Sequence, residues 1–546
     1  MRRWDKPPRR RHQMVMFEPT LDETLAPDHP VRLVDQVLAA QDWSAWEARY
    51  KPGPGRPAIH PRVMASILLY GLSKGVRSSR KLEEACGTRL DFIWLAEGRV
   101  PDHSTLCEFR TKHAPQLKAL LVEVCRVAMY VGLAALNELV LDGTRVRANS
   151  SRHATATAEE IEARLAALRG EIDRWFAEAA ATDDAETDLF GERATPYRLP
   201  RELADLERRA QRLEEALAAA KAEAARQAEA AAKRRSKAKS NSESGDGGHA
   251  GEGAEKAEPP APRVPVADPA SKVLPDKDGG CAPNYTPMVT VEGKGGFIVD
   301  ADVLGDADEG SAAVPTVDAT TETYGEAPER VVADGAYGSG ENLTAFDARG
   351  IAAYIPPPRR YDTADNPARR PDPREAVPAE AWDRLPRNPR TKRLDRSAFL
   401  YEAESDTYWC PLGRPLRFAG EHAKHGRPYR RYRAAASCRD CPLKAACTTS
   451  QDGRRTVYRD HHERAREAAA ARLHTAEGRA IYRRRAPAAE TPFAHIKTQM
   501  HLRQFLLRGL AGVRAEWLWA CVAYNLAKLV RELSRLSGDA AEALAG

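Results

Sequence analysis

The segment Glu138-Leu-Val-Leu-Asp142-Gly143 is a short apolar run that ends in an acidic residue and a glycine. The segment Glu329-Arg-Val-Val-Ala-Asp334-Gly335 repeats this pattern in the second half of the chain. Short apolar runs are typical of buried strands, so we expect Asp142 and Asp334 at the ends of two strands. If these strands are neighbours, the two carboxylates converge, and their repulsion makes it costly to ionise both.

Further strands and helices follow the first acidic segment. Two extended patterns, Met288–Glu292 and Gly296–Val303, are joined by Glu292-Gly-Lys-Gly-Gly296, which predicts a hairpin turn. Helices are predicted around Ala312–Tyr324 and from Glu341 onward. This succession predicts an α/β fold in which helices flank a mixed sheet.

Residues 1 to about 135 are predicted to be helical throughout. Apolar residues recur at helical spacing over Ala58–Leu72, Ser79–Leu95 and about Ser104–Tyr130. The N-terminal residues Met1–His12 are rich in arginine, and clustered basic residues neutralise phosphates. The region therefore suits a DNA-binding bundle, although a helical domain used only for packing or dimerisation has the same pattern.

Long stretches of different composition interrupt the α/β pattern. Residues 155–232 are rich in Ala, Glu and Arg and predict two long helices, which suit an antiparallel hairpin. Residues 233–266 have the composition of a disordered linker. The predicted segments are 1–135 (N-terminal helices), 136–154 (first core strand), 155–232 (helical insertion), 233–266 (linker), 267–354 (core with the second Asp), 355–460 (Pro/Arg/Cys-rich insertion), 461–535 (C-terminal core helices) and 536–546 (tail).

Composition narrows the class of protein. The chain has 546 residues, a length typical of roughly two to four domains. Hydrophobic residues make up 42% of it, which allows a sizeable core, and the net charge is +6. The most apolar segment, Trp517–Val530, is short for a membrane span, and no apolar run follows the basic N-terminus as in a secretory signal. Nine cysteines, unevenly spread, argue against a secreted disulfide framework. We therefore expect a cytoplasmic protein.

A magnesium site is the chemical reason to gather carboxylates in this way. Mg²⁺ takes hard oxygen ligands, and two such ions roughly 4 Å apart activate a nucleophile and stabilise a leaving oxygen in phosphoryl transfer. Glu490 is the best candidate for a third acid, because on a helix it shares one side with Lys497 while Phe493, Ile496 and Met500 form an apolar stripe. Lys497 is then predicted to contact a DNA phosphate.

Each of these acids also has an ordinary interpretation. An Asp-Gly pair is often only a turn, and a Glu in a basic helix is often a surface ion pair. Asp300 and Asp302 lie on a predicted strand and are reserve candidates for metal ligands, although only one face of that strand points to the site. The prediction depends on three acids occurring together in this order and these settings.

Several motifs resemble the DDE transposases of bacterial insertion sequences, in particular the branch with a cysteine-bearing insertion before the catalytic Glu. Over most of the chain outside 233–266, the matching segments are Leu21-Asp-Glu-Thr-Leu-Ala-Pro-Asp-His-Pro-Val31, Gly55-Arg-Pro-Ala-Ile-His-Pro61, Gly75-Val-Arg-Ser-Ser-Arg-Lys-Leu-Glu83, Pro101-Asp-His-Ser-Thr-Leu-Cys-Glu-Phe-Arg110, Leu141-Asp-Gly-Thr-Arg-Val-Arg-Ala-Asn149, Val332-Ala-Asp-Gly-Ala-Tyr-Gly338, Glu490–Lys497, Phe505-Leu-Leu-Arg-Gly-Leu510 and Ala523-Tyr-Asn-Leu526.

The resemblance implies an RNase H-like catalytic core, two divalent metal ions (Mg²⁺ or Mn²⁺) and recognition of terminal inverted repeats. It implies that Asp142, Asp334 and Glu490 are the catalytic metal ligands. It also implies a Tyr and an Arg shortly before the Glu, places that Tyr482 and Arg485 or Arg484 fill as phosphate-binding residues. Here the chain departs from the family, since four residues separate Arg485 from Glu490 where three are usual.

Four cysteines fall close together before the predicted catalytic helix. Cys438-Arg-Asp-Cys441 is a CxxC pair, Cys447 follows it, and Cys410 lies in Tyr408-Trp-Cys-Pro-Leu-Gly413. Four thiolates suit one structural Zn²⁺ ion, which would stabilise an insertion with little core of its own. The spacing is irregular for a zinc ribbon, so free or redox-active thiols are the alternative.

The sequence thus predicts an active transposase that hydrolyses the element's 3′ ends and transfers them to target DNA. Its predicted partners are the terminal inverted repeats and the target duplex, on which it acts as a homodimer associated with the nucleoid. The alternatives are a catalytically silent or domesticated DNA-binding protein, and an RNase H-like nuclease that cuts without joining strands.

Overall fold

The computed structural model describes residues 20–50, 57–190, 201–243, 261–275, 280–305, 308–357, 365–389, 391–424, 427–436, 438–450 and 453–545. The helices are α1 Pro30–Ala39, α2 Ser44–Glu47, α3 Pro61–Ser73, α4 Ser79–Thr88, α5 Leu90–Leu95, α6 His103–Lys112, α7 Ala114–Tyr130, α8 Ala158–Phe190, α9 Arg201–Glu243, α10 Ala313–Tyr324, α11 Gly340–Ala348, α12 Lys444–Cys447, α13 Glu463–His474, α14 Ala476–Arg483, α15 Arg485–Ala494 and α16 Gly509–Ala545.

The strands form two larger sheets and one small pair. They are β1 Glu138–Gly143, β2 Val146–Arg147, β3 Thr155–Ala156, β4 Val264–Pro265, β5 Lys272–Pro275, β6 Cys281–Glu292, β7 Ile298–Leu304, β8 Arg330–Val332, β9 Ala352–Tyr354, β10 Leu400–Glu402, β11 Thr407–Trp409, β12 Pro415–Lys424, β13 Arg427–Ala434 and β14 Thr456–Arg459. The predicted mixed α/β fold is confirmed.

The central sheet has the order β7-β6-β1-β8-β9. β6 is antiparallel to both β7 and β1, whereas β1, β8 and β9 run parallel to one another. β6 is long enough to pair with β2 and β5 through its first residues as well. The apolar runs that predicted buried strands therefore lie in the middle of this sheet, where both faces are covered.

The N-terminal helices are all present, but two of the predicted helices are each divided. Ser79–Leu95 divides at Arg89, which is extended with φ −107° and ψ 126°. Ser104–Tyr130 divides at His113, because Pro115 lies in the first turn of α7 and cannot donate the backbone hydrogen bond of a continuous helix. The basic N-terminal residues 1–12 lie outside the described residues.

Helix α16 joins the N-terminal helices to the central sheet. Trp517 and Trp519 are almost completely buried. The Trp519 indole donates to the carbonyl of Arg110 in α6 at 2.9 Å, and the Trp517 indole donates to the carbonyl of Met288 in β6 at 3.1 Å. The apolar C-terminal segment is thus a buried helix of the core, as its composition predicted.

The side-chain amide of Asn525 in α16 forms the hydrogen bonds to the edge strand β7 that the backbone of a neighbouring strand would form. Its amide oxygen accepts from the Ile298 N–H at 2.9 Å, and its amide nitrogen donates to the Ile298 carbonyl at 2.8 Å. The same nitrogen contacts the sulfur of Cys125 in α7 at 3.2 Å. A buried amide therefore satisfies backbone groups that the sheet leaves without a partner strand.

The helical insertion forms the predicted pair of helices, α8 and α9, which pack against each other. α9 continues to Glu243, so the predicted linker 233–266 is wrong for its first eleven residues (233–243). Lys, Arg and Ala in this stretch are good helix formers and extend a helix that is already nucleated. Residues 261–266 include strand β4, and residues 244–260 lie outside the described residues.

The Pro/Arg/Cys-rich insertion contains a five-stranded antiparallel sheet, in the order β10-β11-β12-β13-β14. It has its own apolar core, which includes Phe399, Tyr408 and Tyr432. The sequence did not predict this sheet, because arginines interrupt the apolar alternation of β12 and β13. Among the described residues, no helix has the length and apolar composition needed to cross a bilayer.

We expect Asn525→Ala to lower the free energy of unfolding by about 3 kcal/mol, because it removes two buried hydrogen bonds and leaves the Ile298 N–H without its acceptor, while the Ile298 carbonyl keeps only the Cys125 thiol. Urea unfolding followed by circular dichroism measures this loss. Ser534→Ala is the matched control on the same helix, since it removes only a hydroxyl bond to the Val530 carbonyl at an exposed residue. Equal losses for the two variants would contradict the role of Asn525.

Candidate active site

The pairing of β1 with β8 brings the two predicted aspartates together. In this parallel pair Val140 is opposite Val332, so Asp142 and Asp334 each follow the last paired residue by two positions. Both carboxylates therefore emerge at the same end of neighbouring strands. Burial is the main cause that raises the pKa of Asp142, and the nearby charge of Asp334 raises it further.

Asp142 is largely buried, with 16% of its side chain exposed. Burial is the main cause that raises the pKa of Asp142, and the charge of Arg485 opposes it. One carboxylate oxygen accepts from the Gly143 N–H at 2.9 Å, and the other accepts from the Arg485 guanidinium at 3.2 Å. Asp334 instead begins a short helical turn, where its side chain accepts from the Ala336 N–H at 2.8 Å.

Glu490 lies on α15, which packs against β1. The buried face of this helix includes Ala489 and Phe493, and the ring of Phe493 stacks on Trp517 at 6.2 Å between centroids. Glu490 is exposed, and no hydrogen bond or ion pair among the described residues joins it to Asp142 or Asp334. The predicted third acid is therefore on a helix beside the aspartates, with its side chain in solvent.

The basic residues predicted to bind phosphate lie around the end of β1. The Lys497 ammonium, in the π-helical turn His495–Gln499, donates to the Arg145 carbonyl at 2.9 Å and to the hydroxyl of Thr144. Arg485 lies 6.0 Å from the ring centre of Tyr482 while it contacts Asp142. Arg484 is turned to the opposite end of β1, where it contacts Glu138 at 3.4 Å.

The reserve candidates Asp300 and Asp302 have other partners. Asp300 forms an ion pair with Lys118 at 2.9 Å, and Asp302 forms one with Arg514 at 2.8 Å. Both lie on β7, which β6 separates from β1. Of the candidate carboxylates on strands, only those that follow β1 and β8 interact with each other in the described part of the chain.

Sequence reasoning missed Glu309, which lies next to the aspartates. Burial raises the pKa of Glu309, and the charges of Asp142 and Asp334 raise it further. The hydroxyl of the buried Tyr337 donates to the Glu309 carboxylate at 3.2 Å. No strand pattern marks this acid, because it lies in the turn before α10. The glycine after Asp142 was the available signal, since it leaves the space that Glu309 occupies.

The chemistry of these donors fits a divalent cation. The carboxyl groups of Asp142, Asp334 and Glu309 supply hard oxygen ligands, and the interaction of their charges provides the reason for a cation to bind. Among the described residues, however, no group of three or more His, Cys, Asp or Glu side chains is arranged to hold a metal ion. One carboxylate oxygen of Asp142 contacts Arg485 and one of Glu309 contacts Tyr337, so a bound cation would share these carboxylates with their present partners or displace them.

The four clustered cysteines all line one cavity of about 320 Å³ in the second sheet domain. Cys438 and Cys441 form a tight turn, in which the Cys441 N–H donates to the Cys438 carbonyl at 3.2 Å. Burial is the main cause that raises the pKa of Cys410, and it raises the pKa of Cys447 to about 12. The structure therefore gathers the cysteines that the sequence singled out, together with apolar side chains.

Two segments of the chain match known protein families. Residues 19–112 match the family described as Transposase domain (DUF772), and residues 409–530 match the family described as Transposase DDE domain. No curated protein and no solved structure matches the chain. Glu490 and Lys497 lie within the second match, whereas Asp142 and Asp334 lie outside both. The chain is thus similar to a transposase domain in its N-terminal part and to a transposase DDE domain in its C-terminal part.

Proposed function

We propose that the protein cuts the ends of its mobile element and joins them to target DNA, with Asp142, Asp334 and Glu490 as the metal-binding acids. The observation that supports this proposal best is the register of β1 and β8, which brings two acids to one point. Helix α15 packs against β1 and carries Glu490 beside them. Both family matches favour DNA transposition over other phosphoryl transfers.

An RNase H-like core is the proposed catalytic fold. The sheet has an antiparallel hairpin on one side of β1 and parallel strands on the other, and helices cover it. This arrangement supports the fold that the family implies. In it, Asp142 near the end of the central strand and Asp334 after the adjacent parallel strand share one end of the sheet, where the DNA backbone would bind.

The proposed chemistry is hydrolysis followed by strand transfer. Mg²⁺ or Mn²⁺ ions, when bound, supply Lewis-acid stabilisation of the attacked phosphate and of the leaving oxygen. The three acids would hold these ions, and Lys497 and Tyr482 would position the DNA phosphates. Water and the freed 3′-OH can use the same site in turn, because both are oxygen nucleophiles that attack phosphorus.

Arg485 is proposed to change partners during this cycle. Its guanidinium contacts one carboxylate oxygen of Asp142, so Arg485 and a cation would compete for that oxygen. A DNA phosphate is a better partner for a planar guanidinium once cations neutralise the acids. Arg485 would then move from Asp142 to the phosphate beside it.

The N-terminal helices are proposed to bind the terminal inverted repeats, and two copies are proposed to act on one pair of ends. α16 connects these helices to the sheet through Trp517 and Trp519, so DNA bound to them lies at a fixed distance from the acids. A DNA-binding protein without activity and a nuclease that does not join strands remain the alternative functions. Both family matches support the transposase.

We expect Asp142→Asn, Asp334→Asn and Glu490→Gln each to lower metal-dependent cleavage of a labelled element end by at least about 100-fold, because each removes a charged ligand of the cations. Binding of the same DNA, measured by fluorescence anisotropy without metal, should remain within about threefold. The duplex is taken from the DNA that flanks the gene.

Matched controls separate a catalytic role from a general loss of charge. Glu477→Gln changes an exposed glutamate on the neighbouring helix α14, and Asp302→Asn changes an aspartate paired with Arg514 on β7. Both should cut as the wild type does. The proposal fails if Asp142→Asn cuts equally well, and cleavage without joined products would indicate a nuclease instead.

We also propose that Cys410, Cys438, Cys441 and Cys447 bind one structural Zn²⁺ ion. All four line the same cavity, and thiolates are the ligands that zinc prefers in structural sites. The described cysteines are not arranged around an ion, so zinc binding would turn their thiolates toward one another. Bound zinc would stabilise the small core of the second sheet and keep the thiols from oxidation.

Native mass spectrometry of the full chain should find one zinc ion per chain in the wild type and none in Cys441→Ser. Cys107→Ser is the matched control, because Cys107 is exposed on α6 and should keep the zinc. Freshly reduced wild-type protein that carries well under one zinc ion per chain would reject the site.

A further inference from the structure

Glu309 occupies the space beside Gly143, the residue that follows Asp142. A Cβ atom added to Gly143 would lie 2.5 Å from one carboxylate oxygen of Glu309 and 2.9 Å from the other. Such distances are far inside van der Waals contact. Gly143 does not need glycine for a left-handed backbone, since it is not among the residues with positive φ. The glycine instead lets a third carboxylate approach the end of β1.

A second glycine brings the Glu309 turn close to the residues after Asp334. A Cβ atom on Gly310 would lie 2.7 Å from the carbonyl oxygen of Ala336. The amide nitrogen of the buried Asn342 donates to the carbonyls of Gly310 and Tyr337, at 2.7 and 3.0 Å. The backbone on both sides of the site is thus held together by one buried side chain.

The negative charge of Glu309 makes its position beside Asp142 and Asp334 electrostatically unfavourable. Three carboxylates act on one another here, and the cations that act on them are Arg485 at Asp142 and Arg145 near Glu309. A glutamate on the surface would avoid this repulsion. The Tyr337 hydroxyl needs only one acceptor, and a neutral side chain would also provide it. A carboxylate in this place has a function if a cation binds between the acids.

We propose that Glu309 is a further metal ligand of the active site, which contributes an oxygen to a divalent cation together with Asp142. This inference rests on the proposed function, because it assigns a further ligand to the same cations. It makes the metal site one of two strand-end aspartates, a glutamate before α10 and a glutamate on α15. One Glu309 oxygen accepts from the Tyr337 hydroxyl, and the other oxygen would contact the cation.

Isothermal titration of the full chain with Mn²⁺, in the absence of DNA, tests the proposal without relying on activity. We expect Glu309→Gln to weaken Mn²⁺ binding by at least about tenfold, because it removes a charged ligand. Asp308→Asn is the matched control: its side chain accepts only from the Gly310 N–H, which an amide oxygen also does. It should bind Mn²⁺ within twofold of the wild type.

Thermal unfolding in a chelator provides an independent measurement. Glu309→Gln relieves the repulsion between three acids while it keeps an acceptor for Tyr337, so it should unfold at a higher temperature than the wild type. A residue that only supported Tyr337 would give an unchanged or lower temperature. Unchanged Mn²⁺ affinity in Glu309→Gln, with reduced affinity in Asp142→Asn, would overturn the inference and leave the proposed function standing. Unchanged affinity in both variants would instead contradict the proposed function.

Discussion

The backbone hydrogen bonds between β1 and β8 determine where Asp142 and Asp334 lie. These two strands are far apart in the chain and pair in parallel, and an aspartate follows the last paired valine of each by two residues. A shift of one residue in this register would place the two acids on opposite faces. The site therefore depends on sheet pairing, which burial of Val140, Val331 and Val332 stabilises.

The repulsion between the carboxylates of this site is offset by side-chain partners that a bound cation could displace. Arg485 neutralises Asp142 from α15, and Tyr337 donates to Glu309 from the loop after β8. Each partner belongs to a different element, so the site is held by the packing of α15 and α10 on the sheet. The cost of burying acids is met by the large apolar core beneath them, where α16 contributes two tryptophans and Asn525.

The sequence predicts the central sheet well because its strands are buried on both faces and appear as continuous apolar runs. It predicts Asp142 and Asp334 for the same reason, since each follows such a run. It does not predict Glu309, because a turn residue has no periodic signal and its neighbourhood arises only from tertiary packing. The second sheet is missed too, because its small core depends on aromatic residues such as Tyr408 and Tyr432 in strands that otherwise carry arginines.

The two-residue strands β3 and β4 pair Thr155 with Pro265 and Ala156 with Val264. Helices α8 and α9 lie between these two strands in the chain, so the two ends of the helical insertion meet at this strand pair. The entropy of closing such a loop grows only with the logarithm of its length, so a long excursion costs little more than a short one. Insertions, deletions or replacements within this helical hairpin are therefore compatible with unchanged positions of Asp142 and Asp334.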